Sequence, residues 1–353
     1  MATAGKIQTV LGPIAPETLG RTMMHEHIMI NCINAFYSDP QTKEDIENAS
    51  KPICLENLHW LQYHQVMHKD NLVMDNLDVA AKEINLFKEV GGGALVDVST
   101  VGIRLGDHAQ NLATLSEQTG VQIVMGAGIY VAKVHPDWIG SSSIDELGEF
   151  IRKEVQEGIG GSSVKAGIIG EIGCTWPLED NEVKVLRAAA RAQKMTGAAI
   201  TIHPGRNPAA PFKILDILVE EGADPGRVVM GHLERTIYTA DEMLALAARG
   251  CIMEFDLFGL ESSFYPFNKS KYMPSDEQRI QWVVQLVQAG YRDRIVLAHD
   301  VYTKVRLVTY GGHGFGHVLK HIQPRLLARG LSEEDLDRIF VQTPRRILTI
   351  APL

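Results

Sequence analysis

Residues 20–27 read GRTMMHEH, and this stretch decides the fold. It is an apolar run of strand length that closes on His-Glu-His. An open, doubly wound sheet would follow its first strand with a glycine-rich phosphate turn, and none follows here. Outward from this run the chain repeats one theme: a short apolar run, a loop, then a helical pattern. With 22–27 as the first, the others are 94–99 (ALVDVS), 122–130 (QIVMGAGIY), 166–173 (AGIIGEIG), 198–203 (AAITIH), 228–233 (VVMGHL), 252–257 (IMEFDL) and 295–300 (IVLAHD). Near-continuous apolar runs suit strands covered on both faces, as in a parallel sheet. Amphipathic stretches lie between them at 79–90, 144–158, 180–195, 210–221 and 276–289. Eight strands alternating with helices predict the α/β class and a single closed (β/α)8 TIM barrel.

Ser143, Asp180, Thr239 and Ser275 stand where helices would begin, with side-chain oxygens for the free amides of the first turn. Gly197, Gly222, Gly250 and Gly290 stand where helices would stop. The long irregular segment 28–77 predicts a helical insertion over the barrel mouth, most helical at 58–68. No Pro/Ser-rich or low-complexity linker divides the chain, so residues 1–353 are expected to form one domain.

Bulk properties exclude several partners. The net charge of −9 offers no basic face for nucleic acid or an anionic membrane. An anionic small molecule is not excluded, because a pocket can be locally positive on an acidic protein. Cys32, Cys54, Cys174 and Cys251 are scattered without CxxC spacing, which fits a reducing cytoplasm better than a disulfide framework. No run approaches the roughly 18 apolar residues of a spanning helix, and MATAGKIQTVLGPI has no apolar h-region. A cytoplasmic protein is expected, with a homodimer left open.

In a barrel of this kind chemistry sits at the C-terminal ends of the strands. His25 and His27 close the first run, Glu171 lies near the end of the fourth, His203 ends the fifth, His232 nearly ends the sixth and Asp300 ends the eighth. One histidine at a strand end is usually a packed or solvated residue; the joint placement on one rim is what points to metal. His25 and His27 are two residues apart on a strand, so both face the barrel interior. Imidazoles with carboxylates suit Zn2+, with manganese, cobalt or iron as alternatives. Four imidazoles and two carboxylates exceed the needs of one tetrahedral ion. Two divalent metal ions per chain, about 3.5–4 Å apart and bridged by a carboxylate and a hydroxide, account for the surplus.

Substrate contacts are expected from Tyr130 at the third strand's end, which is otherwise a packing residue. Arg206, Arg235, Lys304 and Arg306 fall on loops above the metals, where a guanidinium fork or ammonium can hold a carboxylate or sulfonate. Glu254 and Asp256 are expected to pair with these bases. Gly311, Gly312 and Gly314 offer amides to an anion, and His313 a pocket wall.

The segments GRTMMHEH (20–27), GGGALVDVST (91–100), AGIIGEIG (166–173), TIHPGR (201–206), GHLERT (231–236), AHD (298–300) and YGGHG (310–314) resemble the phosphotriesterase-related family within the amidohydrolase superfamily. The likeness runs from Gln8 to about Pro344. It implies a binuclear centre in which His25, His27 and Asp300 hold one ion, His203 and His232 the other, and the fourth strand supplies the bridge. Phosphotriesterases and related lactonases bridge with a carbamylated lysine. Here that position reads Gly170, with Glu171 beside it, and Lys165 lies six residues earlier, about 20 Å down the strand. Glu171 is therefore the expected bridge, as in the carboxylate-bridged branch of the family.

The expected chemistry is hydrolysis by a metal-bridging hydroxide, with Glu171 and Asp300 as the catalytic carboxylates. Asp300 takes and returns the proton, or serves only as a ligand. The resemblance implies a small anionic acyl-amine substrate, an N-acyl amino acid or amino sulfonate such as N-acetyltaurine. A lactonase or phosphoesterase using the same metals, and a catalytically silent metal-binding barrel, are the alternatives.

Overall fold

The computed structural model describes residues 3–262, 265–268 and 270–353. Eight parallel strands form the barrel wall: β1 (Arg21–Glu26), β2 (Gly92–Asp97), β3 (Gln122–Ala127), β4 (Ile168–Gly173), β5 (Ile200–His203), β6 (Val228–Met230), β7 (Ile252–Phe255) and β8 (Ile295–Leu297). Each pairs with the next in chain order. The seam between β8 and β1 is closed by single contacts. Asp300 N donates to His25 O at 3.1 Å, and the Glu26 carboxylate accepts from His299 N at 2.9 Å and Val301 N at 3.2 Å. The fold is the expected (β/α)8 barrel.

Both faces of each strand are buried, which explains the near-continuous apolar runs. Met24, Val96, Val124, Ile168, Val229, Ile252 and Val296 pack together as an inner layer, with Ile7, Leu19 and Ile347 in the same cluster. Their sequence neighbours Met23, Leu95, Ile123, Ile169, Met230, Met253 and Leu297 belong to the larger cluster shared with the helices. Alternation thus assigns successive apolar residues to two cores.

The strands stop short of the apolar runs. The run 228–233 is strand only over Val228–Met230, and 295–300 only over Ile295–Leu297. Beyond them the backbone turns into loops, with His232 at φ 53° and Asp300 at φ 51°, both left-handed.

Helices α1 (Leu77–Glu89), α2 (His108–Thr119), α3 (Ile144–Gln156), α4 (Asp180–Thr196), α5 (Ala209–Glu220), α6 (Ala240–Ala248) and α7 (Asp276–Gln288) connect the strands. Ser143, Thr239 and Ser275 cap as expected, each side chain accepting from the amide three residues on. Asp180 does not: it is the first helical residue, and Glu179 occupies the cap position. Gly197 ends α4 at φ 74°. No helix among the described residues is long and apolar enough to cross a membrane.

The insertion after β1 is helical in short pieces, Ile33–Phe36, Lys43–Ala49 and Leu55–Leu61, tied by the antiparallel pairing of Ile30–Asn31 with Val73–Met74. The helix expected over 58–68 ends at Leu61. Trp60 and Leu61 pack on Val305, whereas Val66 joins the main core, and one straight helix would not serve both.

Asp97, at the end of β2, fixes the first rung of the site. Its carboxylate accepts from Ile28 N (2.7 Å), Ser99 N (3.0 Å) and His108 Nε2 (2.9 Å). Burial raises its pKa, but His108 and these donors outweigh burial and hold it near 2. A depressed carboxyl stabilises the fold above its unfolded pKa of about 4 and loses that contribution as pH falls through its folded value. We expect Asp97→Asn to destabilise the protein by about 2 kcal/mol at neutral pH. The gap to the parent should close between about pH 4 and pH 2. Urea midpoints measured across that range check this, and a gap that is constant with pH contradicts it.

Candidate metal centre and active site

The six expected ligands converge at the top of the barrel, and all are buried. Glu171 is at their middle. Its Oε2 lies 3.4 Å from His25 Nε2, 3.0 Å from His203 Nδ1 and 3.5 Å from His232 Nε2. Its Oε1 lies 3.3 Å from His27 Nε2. Asp300 Oδ1 is 3.3 Å from the same His27 nitrogen and 3.8 Å from His25 Nε2. Three donor triads with mutual spacings short enough for one ion overlap here: His25–His27–Asp300, Glu171–His203–His232 and His25–His232–Asp256.

The donor chemistry fits divalent metal. Three histidines turn Nε2 inward because something holds Nδ1. Glu254 Oε2 lies 3.2 Å from His25 Nδ1, Ser99 Oγ lies 2.8 Å from His27 Nδ1, and Asp256 Oδ1 accepts from His232 Nδ1 at 2.8 Å. Such outer partners orient imidazoles for metal binding. His25 Nε2 is buried and has no hydrogen-bond partner among the described residues, although it faces two carboxylates. A buried imidazole nitrogen left without a hydrogen bond is costly unless a ligand takes its lone pair.

Electrostatics keep the Glu171 carboxylate ionised. Burial alone would raise the Glu171 carboxyl, but His25, His203 and His232 hold it well below its usual range. Conversely burial opposes charge on His27, yet Asp300 and Glu171 push it up to about 9.

The backbone decides which residues reach the centre. Strict alternation from Met24 or from Ile168 would turn His25 and Glu171 outward. Register irregularities between Met23 and Glu26 in β1, and between Ile169 and Ile172 in β4, reverse the phase. Gly170 makes the second possible at φ 109°. A Cβ there would lie 2.2 Å from Thr201 O and 2.8 Å from Ile172 N. On this backbone no lysine can stand at 170. Lys165 precedes β4 and lines a cleft with Thr3, Gln156 and Leu353 at the opposite end of the barrel.

A pocket opens above the centre, lined at its base by His27, His203 and Asp300. Tyr130, Arg206 and Arg235 also line it, together with Phe36, Leu257, Tyr265, Phe267, Met273 and Tyr302. Tyr130 OH is 3.1 Å from His203 Nδ1. Arg235 is buried, with Nη1 donating to Pro204 O (3.1 Å) and Nη2 lying 3.1 Å from His203 Nε2.

Lys304 and Arg306 are not in this cavity. Lys304 Nζ pairs with Asp70 Oδ1 of the insertion at 2.6 Å. Arg306 donates to the carbonyls of His299 and Asp300, so its charge is spent shaping the turn after β8. Glu254 and Asp256 do not pair with the loop bases: Glu254 lies on β7 and Asp256 just beyond its end, and they serve His25 and His232. The glycine amides are not free either, since Gly311, Gly312 and Gly314 donate to Val308, Leu307 and Arg306 carbonyls. His313 faces a separate cleft with Arg306 and Gln62.

Sequence reasoning missed Phe36, Tyr265, Phe267 and Tyr302. Phe36 ends a single-turn helix and the others lie in loops, too short or irregular to show a period, although an aromatic cluster after the seventh run was visible as YPF at 265–267.

Comparison with known proteins places the chain in a family. A model of the phosphotriesterase family matches residues 5–348. A Bos taurus protein named N-acetyltaurine hydrolase is 46% identical over 98% of both chains, and its Homo sapiens namesake is 45% identical with the same coverage. Among solved structures, a resiniferatoxin-binding protein from Rhodobacter sphaeroides superposes with TM-score 0.93 at 38% identity, covering 98% of this chain and 95% of its own. A lactonase from Listeria monocytogenes gives 0.79 at 27%, covering 98% and 100%. With barrel, ligand cluster and full-length likeness in agreement, this chain belongs to the phosphotriesterase family.

Proposed function

We propose that the chain is a metal-dependent hydrolase that cleaves the amide bond of small, anionic N-acyl amines of the N-acetyltaurine kind. The observation that carries this reading is the buried set of overlapping donor triads around Glu171, at the base of a cavity that two arginines line. The full-length relatives named for N-acetyltaurine hydrolysis support the substrate class. In this reading His25, His27, Glu171, His203, His232 and Asp300 hold two divalent ions, with Zn2+ best suited to the imidazole-rich set. Such ions supply Lewis acidity to an acyl carbonyl and acidify water.

The protein's own groups do the rest. Glu171, ionised and central, faces all four imidazoles. Asp300 Oδ accepts the proton of the attacking water and returns it to the amine nitrogen as the amide breaks. Tyr130 is kept protonated by burial and by Glu171, so its hydroxyl donates to the acyl oxygen. Phe36, Tyr302 and Phe267 exclude bulk water, which strengthens each polar contact within. The arginine side of the cavity receives the carboxylate or sulfonate. Four cysteines without a disulfide agree with a cytoplasmic setting.

The test is a matched panel of N-acetyl amino acids and N-acetyltaurine, lactones and phosphotriesters, run on protein of measured metal content. We expect about two ions per chain and the highest kcat/KM on an anionic N-acetyl amine. A higher kcat/KM on a lactone or neutral triester would replace the amidase reading with the lactonase or phosphoesterase one.

A further inference from the structure

The cavity holds two guanidinium groups, and their partners are hydroxyls, a carbonyl and an imidazole, with no carboxylate among the described residues. Arg235 is buried and Arg206 partly so, and positive charge withdrawn from water in a largely apolar cavity is unfavourable until an anion joins it. The two arginines are not equivalent. Arg235 is committed to Pro204 O, Thr236 Oγ1 and His203 Nε2, which makes it a brace for the metal cluster. Arg206 uses only Nε, donating to Tyr265 OH at 2.6 Å. Its Nη1 and Nη2 have no hydrogen-bond partner among the described residues.

Arg206 is also aimed. Its guanidinium carbon lies 4.5 Å from the centre of the Phe267 ring and 5.7 Å from that of Tyr265, the distance range of cation–π contact. Phe267 in turn packs on Phe36 of the insertion, with ring centres 5.3 Å apart. A planar fork pinned at Nε presents its two remaining nitrogens in the geometry that carboxylates and sulfonates take.

Resting on the functional reading above, we propose that Arg206 alone among the four loop bases anchors the substrate's anionic group. Tyr265 and Phe267 are the positioning residues that aim it, so the loop after β7 sets the selectivity for anionic over neutral acyl amines.

The test pairs anionic substrates (N-acetyltaurine, N-acetylglycine) with neutral ones (N-acetylethanolamine, N-acetylglycinamide). Arg206→Gln should raise KM for the anionic pair about ten- to a hundredfold, because charge-assisted hydrogen bonds are lost, with kcat changed little and the neutral pair unaffected. Arg206→Lys should recover part of that loss. Tyr265→Phe, which keeps the ring and removes only the hydroxyl on Nε, should raise KM about three- to tenfold for the anionic pair alone. Arg235→Lys should lower kcat for both pairs. Calorimetric Kd values for N-acetyltaurine in the metal-loaded Asp300→Asn background should follow the same order. The proposal is overturned if Arg206→Gln moves both pairs alike or neither, or if Arg235→Lys is the change that discriminates by charge. Turnover of no N-acyl amine, with no binding in the Asp300→Asn background, would remove the functional reading and this anchor with it. Turnover of both pairs without an Arg206-dependent difference removes the anchor alone.

Discussion

Glu171→Ala lowers kcat by about a thousandfold or more and releases metal, whereas Lys165→Ala leaves both within experimental error: this is the largest effect we expect. Among the described residues Glu171 is the one carboxylate that touches all four imidazoles, at 3.0 to 3.5 Å. Without it, buried histidines face each other with only Asp300 and the outer acids for compensation, and removing one partner from a buried charged cluster is costly. A metal pair contributes several kcal/mol of transition-state stabilisation, which converts to the stated factor. Glu171→Gln sharpens the experiment, since it keeps the shape and removes only the charge. Metal per chain by elemental analysis, read beside kcat, checks the result. Loss of metal in Lys165→Ala with retention in Glu171→Ala would return the bridge to a lysine. Assembly should also be indifferent to added bicarbonate, because a glutamate needs no carbon dioxide to become a ligand.

Asp300→Asn should lower kcat by about 10²–10⁴, the usual contribution of a positioned general acid–base group, while N-acetyltaurine still binds. Asp300 is the only carboxylate lining the cavity among the described residues. It is held by its backbone: its amide donates to His25 O at 3.1 Å and its carbonyl accepts from Arg306. An asparagine can keep both contacts, so the change removes proton acceptance with little rearrangement. Burial would raise the Asp300 carboxyl, but His27, His232 and His25 hold it down, which keeps it ready to accept a proton. The check is kcat beside calorimetric Kd and metal content. A loss of one ion per chain proportional to the loss of rate would make Asp300 a ligand only.

Lys304 and Arg306 show how chemical type without geometry misleads. Both follow Asp300 closely in sequence, yet one is neutralised by Asp70 and the other is folded back onto the main chain it follows. A long basic side chain reaches whichever acceptor the fold brings nearest, and the insertion that supplies Asp70 lies some 230 positions earlier in the chain.

The sequence by itself determined the barrel and the residue types at its rim. Apolar runs of strand length, amphipathic stretches between them, and caps such as Ser143 and Gly197 act over a few residues, so they are legible wherever they occur. That six candidate metal ligands lie at or near the ends of five of those runs was equally legible, because strand ends share one rim in this architecture. The tertiary structure decided where those side chains point and what holds them. His25 and Glu171 turn inward only because β1 and β4 shift register, and His232 and Asp300 only because their backbone turns left-handed. Those features depend on close contacts with neighbouring strands, such as Thr201 O against Gly170, which no local pattern encodes. Glu254 and Asp256 became histidine holders, and Tyr265 the partner of Arg206, for the same reason. Their partners are distant in sequence, and a side chain's partner is set by the elements that folding packs beside it.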